Sequence, residues 1–323
     1  METIAFLWPQ QEFLNTGLKS PPGYEIRFGR AGVREEAEAA CNGADYILSP
    51  SGSGRVDCQL LTMAPQTRLV QLTGAGYDNI DRQECARRKI PVGYLPGMNA
   101  PSVAQTLLQV ALRLRRPLVP LITGGSTEWL DARATNIAGA ELSGRVGIIG
   151  FGHIGKEAAT VFHALGLDVV RAAYKEQTDP KVPALPLNEL LATSDIIVVA
   201  LPAIQTTKNL LNKKLVKNMK ENSILLNYGR GGIVDEEAVA NAINNDQIAG
   251  AGFDVFAEEP IPPNHPFLKL PPDKREKIVL TAHMAGQTKD SKKRNFSLAL
   301  NNVARIASGQ QILNELSPPD NAL

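Results

Sequence analysis

The 323-residue sequence predicts an α/β protein built on two doubly wound parallel sheets. Short apolar runs alternate with stretches of helical periodicity along most of the chain. The runs fall into two sets, with a long amphipathic segment between them. The second set opens on a strand that passes directly into a glycine-spaced turn and then a helix.

The first set is Ile4–Leu7, Ile26–Phe28, Tyr46–Leu48, Leu69–Leu72 and Pro91–Tyr94. The stretch NAPSVAQTLLQVALRLRRPLVPLITGG follows. Asn99 is placed to cap its helix, Pro101 falls in the first turn where a missing N–H costs nothing, and Val103, Leu107, Val110, Ala111 and Leu114 form one face. A domain boundary is expected where this helix begins. The second set is Arg145–Ile149, Asp168–Ala172, Ile196–Ala200, Ser223–Asn227, Gly250–Asp254 and Ile278–Thr281. The helical segment KKRNFSLALNNVARIASGQ comes after that sheet is complete and is expected to pack back on the first. The expected domains are therefore 1–98 with 288–323, and 99–287. The proline-rich run Pro260–Pro272 reads as a surface loop.

A net charge of +1 and 21% charged residues give no reason to expect a nucleic-acid or membrane partner. The clusters Arg113–Arg116, Lys274–Lys277 and Lys292–Arg294 read as solvated helix faces. Cys41, Cys58 and Cys85 are odd in number and lack C-x-x-C spacing, which suits reduced thiols in a cytoplasm. The N-terminus METIAFLWPQ lacks the basic n-region and long apolar run of a leader. Four histidines at no ligand-like spacing argue against a metal site.

The strongest motif is GRVGIIGFGHIGKEAATVF, with Gly150, Gly152 and Gly155 spaced G-x-G-x-x-G between strand and helix. The first glycine permits a tight turn and the second a close backbone approach to a pyrophosphate. The third lets helix pack on strand, and the helix N-terminus attracts the anion. Further charged residues follow three later strands: Arg230 in LLNYGRGGIVDEEAV, Asp254 and Glu259 in GAGFDVFAEEP, and His283 in VLTAHMAGQT. Open parallel sheets bind ligands outside the carboxyl ends of their strands, so these side chains are expected on one rim. A guanidinium grips a carboxylate with two parallel hydrogen bonds, and an imidazole passes a proton near neutral pH.

Taken together with LTGAGYDNID and NAPSVAQT, these stretches resemble the D-isomer-specific 2-hydroxyacid dehydrogenases, a family that includes phosphoglycerate, glyoxylate/hydroxypyruvate and phosphite dehydrogenases. The resemblance runs from about Gly43 to Asn302. It implies a Rossmann-type dinucleotide-binding domain inserted into a smaller flavodoxin-like substrate domain, and a homodimer built around the long helix. It implies that Arg230 binds the substrate carboxylate, that His283 is the acid/base with Glu259 as partner, and that the backbone N–H groups of Ala75 and Gly76 also hold the substrate. Implied cofactor contacts are Val103, Gly150, Gly152, His153, Ile154, Gly155, Ala173, Tyr174, Lys175, Pro202, Thr207, Tyr228, Gly229, Asp254 and Gly286. Trp129 is a candidate to reach across the dimer towards the partner's pocket, or else to serve as a hydrophobic anchor at the dimer interface. The split of these residues over two domains implies closure on ligand, with hinges near Met98–Ala100 and Gly286–Lys289.

The departures narrow the reading. The usual S-V-A-E-H is Ser102-Val103-Ala104-Gln105-Thr106, and the proline often found before the catalytic histidine is Ala282. The loop SPSGSGRVD carries small residues where phosphoglycerate enzymes tend to carry arginine, although Arg55 is placed to serve an anion. A small 2-oxo/2-hydroxy acid is therefore expected. Phosphite or a phosphonate-type substrate is the alternative on the same fold, and a non-catalytic NAD(P)H-sensing protein is the competing class. The family's ribose-binding acid falls at Ala173, which neither binds ribose hydroxyls nor repels a 2′-phosphate, and Lys175 offers that phosphate a positive charge. NADP(H) is expected to be preferred, with NAD(H) as the second cofactor.

Overall fold

The computed structural model describes residues 1–52, 54–116, 129–130, 139–173, 179 and 181–319. The chain divides into two compact units, Met1–Asn99 with Gln287–Leu323, and Ala100–Gly286.

In the first unit the strands β1 (Glu2–Phe6), β2 (Tyr24–Phe28), β3 (Tyr46–Ser49), β4 (Leu69–Leu72) and β5 (Val92–Gly93) form a parallel sheet in the order β2-β1-β3-β4-β5. That is the flavodoxin-like order. Successive residues of β1 feed opposite cores. Ile4 and Phe6 pack with Phe13, Phe296 and Val303, whereas Ala5 packs with Ala37, Cys41 and Leu60. The C-terminal helix Lys289–Ala307 covers the first of these faces, with Phe296 edge-on to Phe6 at 4.8 Å between ring centroids. Its buried Asn302 donates to the Gln71 side-chain oxygen at 2.7 Å and accepts the Leu313 N–H at 2.8 Å, which fastens the helix to β4. β5 is shorter than the expected Pro91–Tyr94 because Pro91 has no N–H and the Tyr94 N–H is taken by the Asn314 carbonyl.

In the second unit β6 (Arg145–Ile149), β7 (Asp168–Ala172), β8 (Ala184–Leu185), β9 (Ile196–Val199), β10 (Ile224–Asn227), β11 (Gly250–Phe253) and β12 (Ile278–Leu280) form a parallel sheet ordered β12-β11-β10-β9-β6-β7-β8. The chain runs outward from β6 to β8, returns to place β9 beside β6, and runs outward again to β12. Loops leaving β6 and β9 therefore diverge, which opens a crevice at their carboxyl ends. The helix Ala100–Arg115 buries Val103, Leu107, Val110 and Ala111 on one face of this sheet. It lies so close to β11 that a Cβ on Gly252 would stand 2.6 Å from the Val110 side chain. The two-residue edge strand β8 was not foreseen, being too short to show a period.

The run Pro260–Pro272 is more than the expected surface loop. A 3₁₀ turn, Pro266–Lys269, opens on a proline, and Phe267 and Leu270 sit in the core beside Phe253. Proline tolerates the first helical position, so proline content alone did not exclude buried structure here.

Candidate active site

Two of the three glycines after β6 meet steric demands within the fold, and the third leaves open space. Gly150 has φ 102°, and a Cβ there would stand 2.6 Å from the Ala200 carbonyl oxygen. A Cβ on Gly155 would overlap the Gly150 carbonyl, whereas one on Gly152 would meet nothing within 4 Å. Gly152 thus leaves open space in front of the helix His153–Ala164, which it opens without a side-chain cap. The first-turn N–H groups of that helix have no intrahelical partner, and its macrodipole favours an anion there. His153 is exposed and Ile154 half-buried at this end.

Around the turn stand the other candidate cofactor residues. Ala173 is exposed just beyond β7, and its N–H donates to the Leu185 carbonyl at 2.9 Å. Tyr174 and Lys175 lie outside the described residues. After β9, the buried Thr207 hydroxyl donates to the Pro202 carbonyl at 2.7 Å and accepts the Ile204 N–H at 2.9 Å, which fixes that loop's shape. Val103 is buried in the core with Phe151 and Ala285, and half-buried Gly286 ends the unit. The Tyr228 side chain is also in this core. Burial and the Asp254 carboxylate push its phenol above the ordinary range.

Arg230 follows β10 between glycines that have no room for side chains. A Cβ on Gly229 would stand 2.6 Å from the Leu201 carbonyl oxygen, and one on Gly231 would overlap the Phe256 carbonyl. The half-buried guanidinium donates to the Gly229 carbonyl at 3.0 Å and forms no ion pair among the described residues. An anion is the partner its charge lacks. Gly231 also presses the Arg230 loop against the turn that carries Glu259.

Glu259 and His283 meet directly, with His283 Nδ1 2.8 Å from Glu259 Oε2. The other carboxylate oxygen accepts the Phe256 N–H at 2.9 Å, so the acid is held at both ends. His283 itself has φ 51°, a left-handed conformation that costs a β-carbon residue of order 1 kcal/mol or more. Asp254, 4% exposed, holds it there. Its Oδ1 accepts the Thr281 hydroxyl at 2.6 Å and the Met284 N–H at 2.9 Å, its Oδ2 accepts the Ala285 N–H at 3.1 Å, and its backbone carbonyl accepts the His283 N–H at 2.8 Å. An imidazole braced by a carboxylate beside an unpaired guanidinium loop can exchange a proton with an anionic substrate.

In the first unit, half-buried Ala75 and buried Gly76 lie in the turn after β4. No hydrogen bond among the described residues uses either N–H. Arg55 is exposed on the loop after β3, and Trp129 is 46% exposed in the single chain.

A profile of the D-isomer specific 2-hydroxyacid dehydrogenase NAD binding domain matches residues 113–285. The glyoxylate reductase of Aeropyrum pernix is 33% identical over 302 residues, covering 90% of this chain and 85% of that one. The chain belongs to that family. It is an NAD(P)-dependent oxidoreductase acting on CH–OH donors, transferring a hydride to or from a 2-oxo/2-hydroxy acid. The D-3-phosphoglycerate dehydrogenase of Archaeoglobus fulgidus is 32% identical, but this chain, matched over 92% of its length, spans only 56% of that relative. The crystal structure of the NADPH-dependent glyoxylate/hydroxypyruvate reductase of Sinorhizobium meliloti superposes with a TM-score of 0.78 at 23% identity, over 98% of this chain and 97% of that one, and shares the fold. No helix among the described residues is long and apolar enough to cross a membrane.

The glycine turn fits the dinucleotide that the family uses, since the space before Gly152 and the uncapped helix end suit a pyrophosphate. Three further residues escaped the sequence reading. Glu236 and His265 form a second, buried pair at 2.8 Å, and Glu236 accepts the Ala257 N–H at 2.8 Å, beside the Glu259 turn. Arg171 is a buried arginine within β7, and the signal for it was a charge between the apolar residues of VVRA.

Proposed function

We propose that this enzyme reduces a small 2-oxo acid of the glyoxylate or hydroxypyruvate class, with NADP(H) preferred over NAD(H). The observation that carries the mechanism is the His283–Glu259 contact at 2.8 Å on loops beside Arg230. Arg230 binds the substrate carboxylate and draws charge from the carbonyl, and Ala75 and Gly76 are the proposed substrate-binding N–H donors of the first unit. His283, protonated and held by Glu259, delivers its proton to the carbonyl oxygen from Nε2. Bound NAD(P)H supplies the hydride to the carbonyl carbon. Arg230 then stabilises the charge building on the oxygen.

Small substrates are favoured by the small residues of the loop after β3 and by relatives named glyoxylate reductase, at 33%, 31% and 30% identity. The cofactor preference rests on the missing acid at Ala173. The enzyme is proposed as a cytoplasmic homodimer, and the three free cysteines bear on the compartment alone. Steady-state kcat/KM for glyoxylate, hydroxypyruvate, 3-phosphohydroxypyruvate and phosphite, each with both cofactors, tests the reading. Glyoxylate or hydroxypyruvate with NADPH should lead. Leading turnover of phosphite, or nucleotide binding with no turnover of any of the four, would replace this reading with one of its rivals.

A further inference from the structure

Arg171 sits in β7, in the stretch DVVRA, and is 6% exposed. Its Nε and Nη1 are buried without a hydrogen-bond partner, and its side chain has no ion pair among the described residues. Arg34, Arg82, Arg115 and Arg294 also leave one nitrogen unpaired, but each anchors another on a carboxylate or carbonyl oxygen. Arg171 anchors none. A buried guanidinium without a counter-charge is unfavourable until an anion completes it.

Its surroundings say where that anion would lie. The guanidinium carbon is 5.7 Å from the ring centroid of Phe151, the residue between Gly150 and Gly152. The aromatic face seats the cation without using any of its N–H donors. Strand alternation places Arg171 on the same face as Ala173, two residues or about 6.6 Å further along the chain. That face is the one covered by the helix His153–Ala164, because Val169, two residues before Arg171, packs with Phe162. The guanidinium therefore stands between the uncapped end of this twelve-residue helix and the exposed end of β7.

We propose that Arg171 binds the 2′-phosphate of NADP(H) and sets the cofactor preference. This rests on the NADP(H) reading above and gives it a charged contact inside the described structure. A pyrophosphate has the glycine turn and helix end to itself, whereas β7 is the next strand outward, where the ribose-binding acid would have stood. With Ala173 in that place, no carboxylate among the described residues pairs with the guanidinium, and its planar donors suit a phosphate monoester. An NADH ribose offers only a hydroxyl, which cannot supply the missing charge.

The test uses the full chain and measures Kd for NADPH and NADH by nicotinamide fluorescence, and for 2′,5′-ADP and 5′-AMP by calorimetry. Arg171→Met should weaken NADPH and 2′,5′-ADP at least tenfold while NADH and 5′-AMP stay within twofold, which also reports that the variant is folded. Arg171→Lys should keep part of the discrimination. Ala173→Asp should pair with Arg171, reverse the preference towards NADH and raise Tm. Equal weakening of NADPH and NADH in Arg171→Met and Arg171→Lys would mean that the residue serves the pyrophosphate or only props the Phe151 turn, and would overturn the proposal. Discrimination that survives Arg171→Met but is lost in Lys175→Ala would also overturn it, leaving the NADP(H) reading intact. Wild type that binds NADH as tightly as NADPH would remove that reading itself.

Discussion

His283 meets Glu259 at 2.8 Å, and His265 meets Glu236 at the same distance. Both carboxylates also take a backbone N–H from one turn, Phe256 donating to Glu259 and Ala257 to Glu236. The pairs differ in their access to water. The side chains of His283 and Glu259 are 44% and 37% exposed, those of His265 and Glu236 only 4% and 10%. His265 is enclosed by Phe256 and Phe267, and its Nδ1 accepts the Phe267 N–H at 3.4 Å, so Nε2 carries the hydrogen given to Glu236. Both of its nitrogens are committed within the fold. The same two residue types therefore form one pair that solvent reaches, to which the proposed mechanism assigns the chemistry, and one that the fold encloses.

The largest effects should come from breaking the exposed pair and its cationic neighbour. His283→Ala and Arg230→Ala should each lower kcat/KM by about 10³-fold or more while NADPH affinity changes by less than about threefold. Glu259→Gln should cost less, about 10- to 100-fold in kcat, because its amide can still accept a hydrogen bond from the imidazole. None of the three should shift Tm greatly, since the removed atoms are wetted. Rates near wild type in His283→Ala would end the assignment of the proton donor.

Breaking the buried pair should reverse that pattern. His265→Leu leaves the Glu236 carboxylate in a dry site with one of its two contacts gone, a change that costs about 3 kcal/mol by comparison with other broken buried pairs. That corresponds to a fall in Tm of roughly 6 to 12 °C for a unit of this size. Activity per folded molecule should fall less than tenfold, and the double variant Glu236→Gln/His265→Leu should recover part of the stability. A Tm within a degree of wild type would show that the pair is not the clamp its burial implies. Diethyl pyrocarbonate offers a milder contrast. His153, His163 and His283 are exposed and should be modified quickly, with loss of activity tracking His283, whereas His265 should react only after unfolding.

The exposed pair was legible in the sequence because each member follows a strand of a recognisable sheet, so parallel topology alone puts Arg230, Glu259 and His283 on one edge. Gly150 and Gly155 were legible for the same reason, and each has a steric task in the fold. His265 was not, because PIPPNHPF carries no period and proline content marks it as a loop, although Phe267 within it is fully buried. Arg171 was passed over because strand periodicity ranks apolar positions and is silent about a charge between them. The bracing role of Asp254 needed coordinates, since nothing in FDVFAEEP says that its carboxylate turns to the 281–285 loop. The fold was thus read from local pattern, whereas the contacts that hold the exposed pair in place depend on residues brought together from different loops.

The smallest effect should come from ion pairs in full contact with solvent, the far end of the same series. Asp246 bonds Lys274 at 2.5 Å and Lys277 at 2.6 Å, and those two contacts hold its carboxyl down at about 2. Its side chain is 58% exposed, so water and salt screen most of the attraction. A carboxylate with a depressed folded value contributes above its ordinary range near 3.8, and the contribution disappears as pH falls towards about 2. The Tm difference between wild type and Asp246→Asn should therefore be largest at neutral pH, about a degree or less, and should shrink steadily below pH 4. At neutral pH it should also shrink in 1 M salt, which would not close the gap left by His265→Leu because that pair is shielded from ions. Tm scans from pH 7 to pH 3 at both salt levels measure this. A gap for Asp246→Asn that is independent of pH and salt would mean that the aspartate acts through local backbone geometry, as the left-handed φ of 55° at that position would allow, and that its lysines contribute nothing measurable.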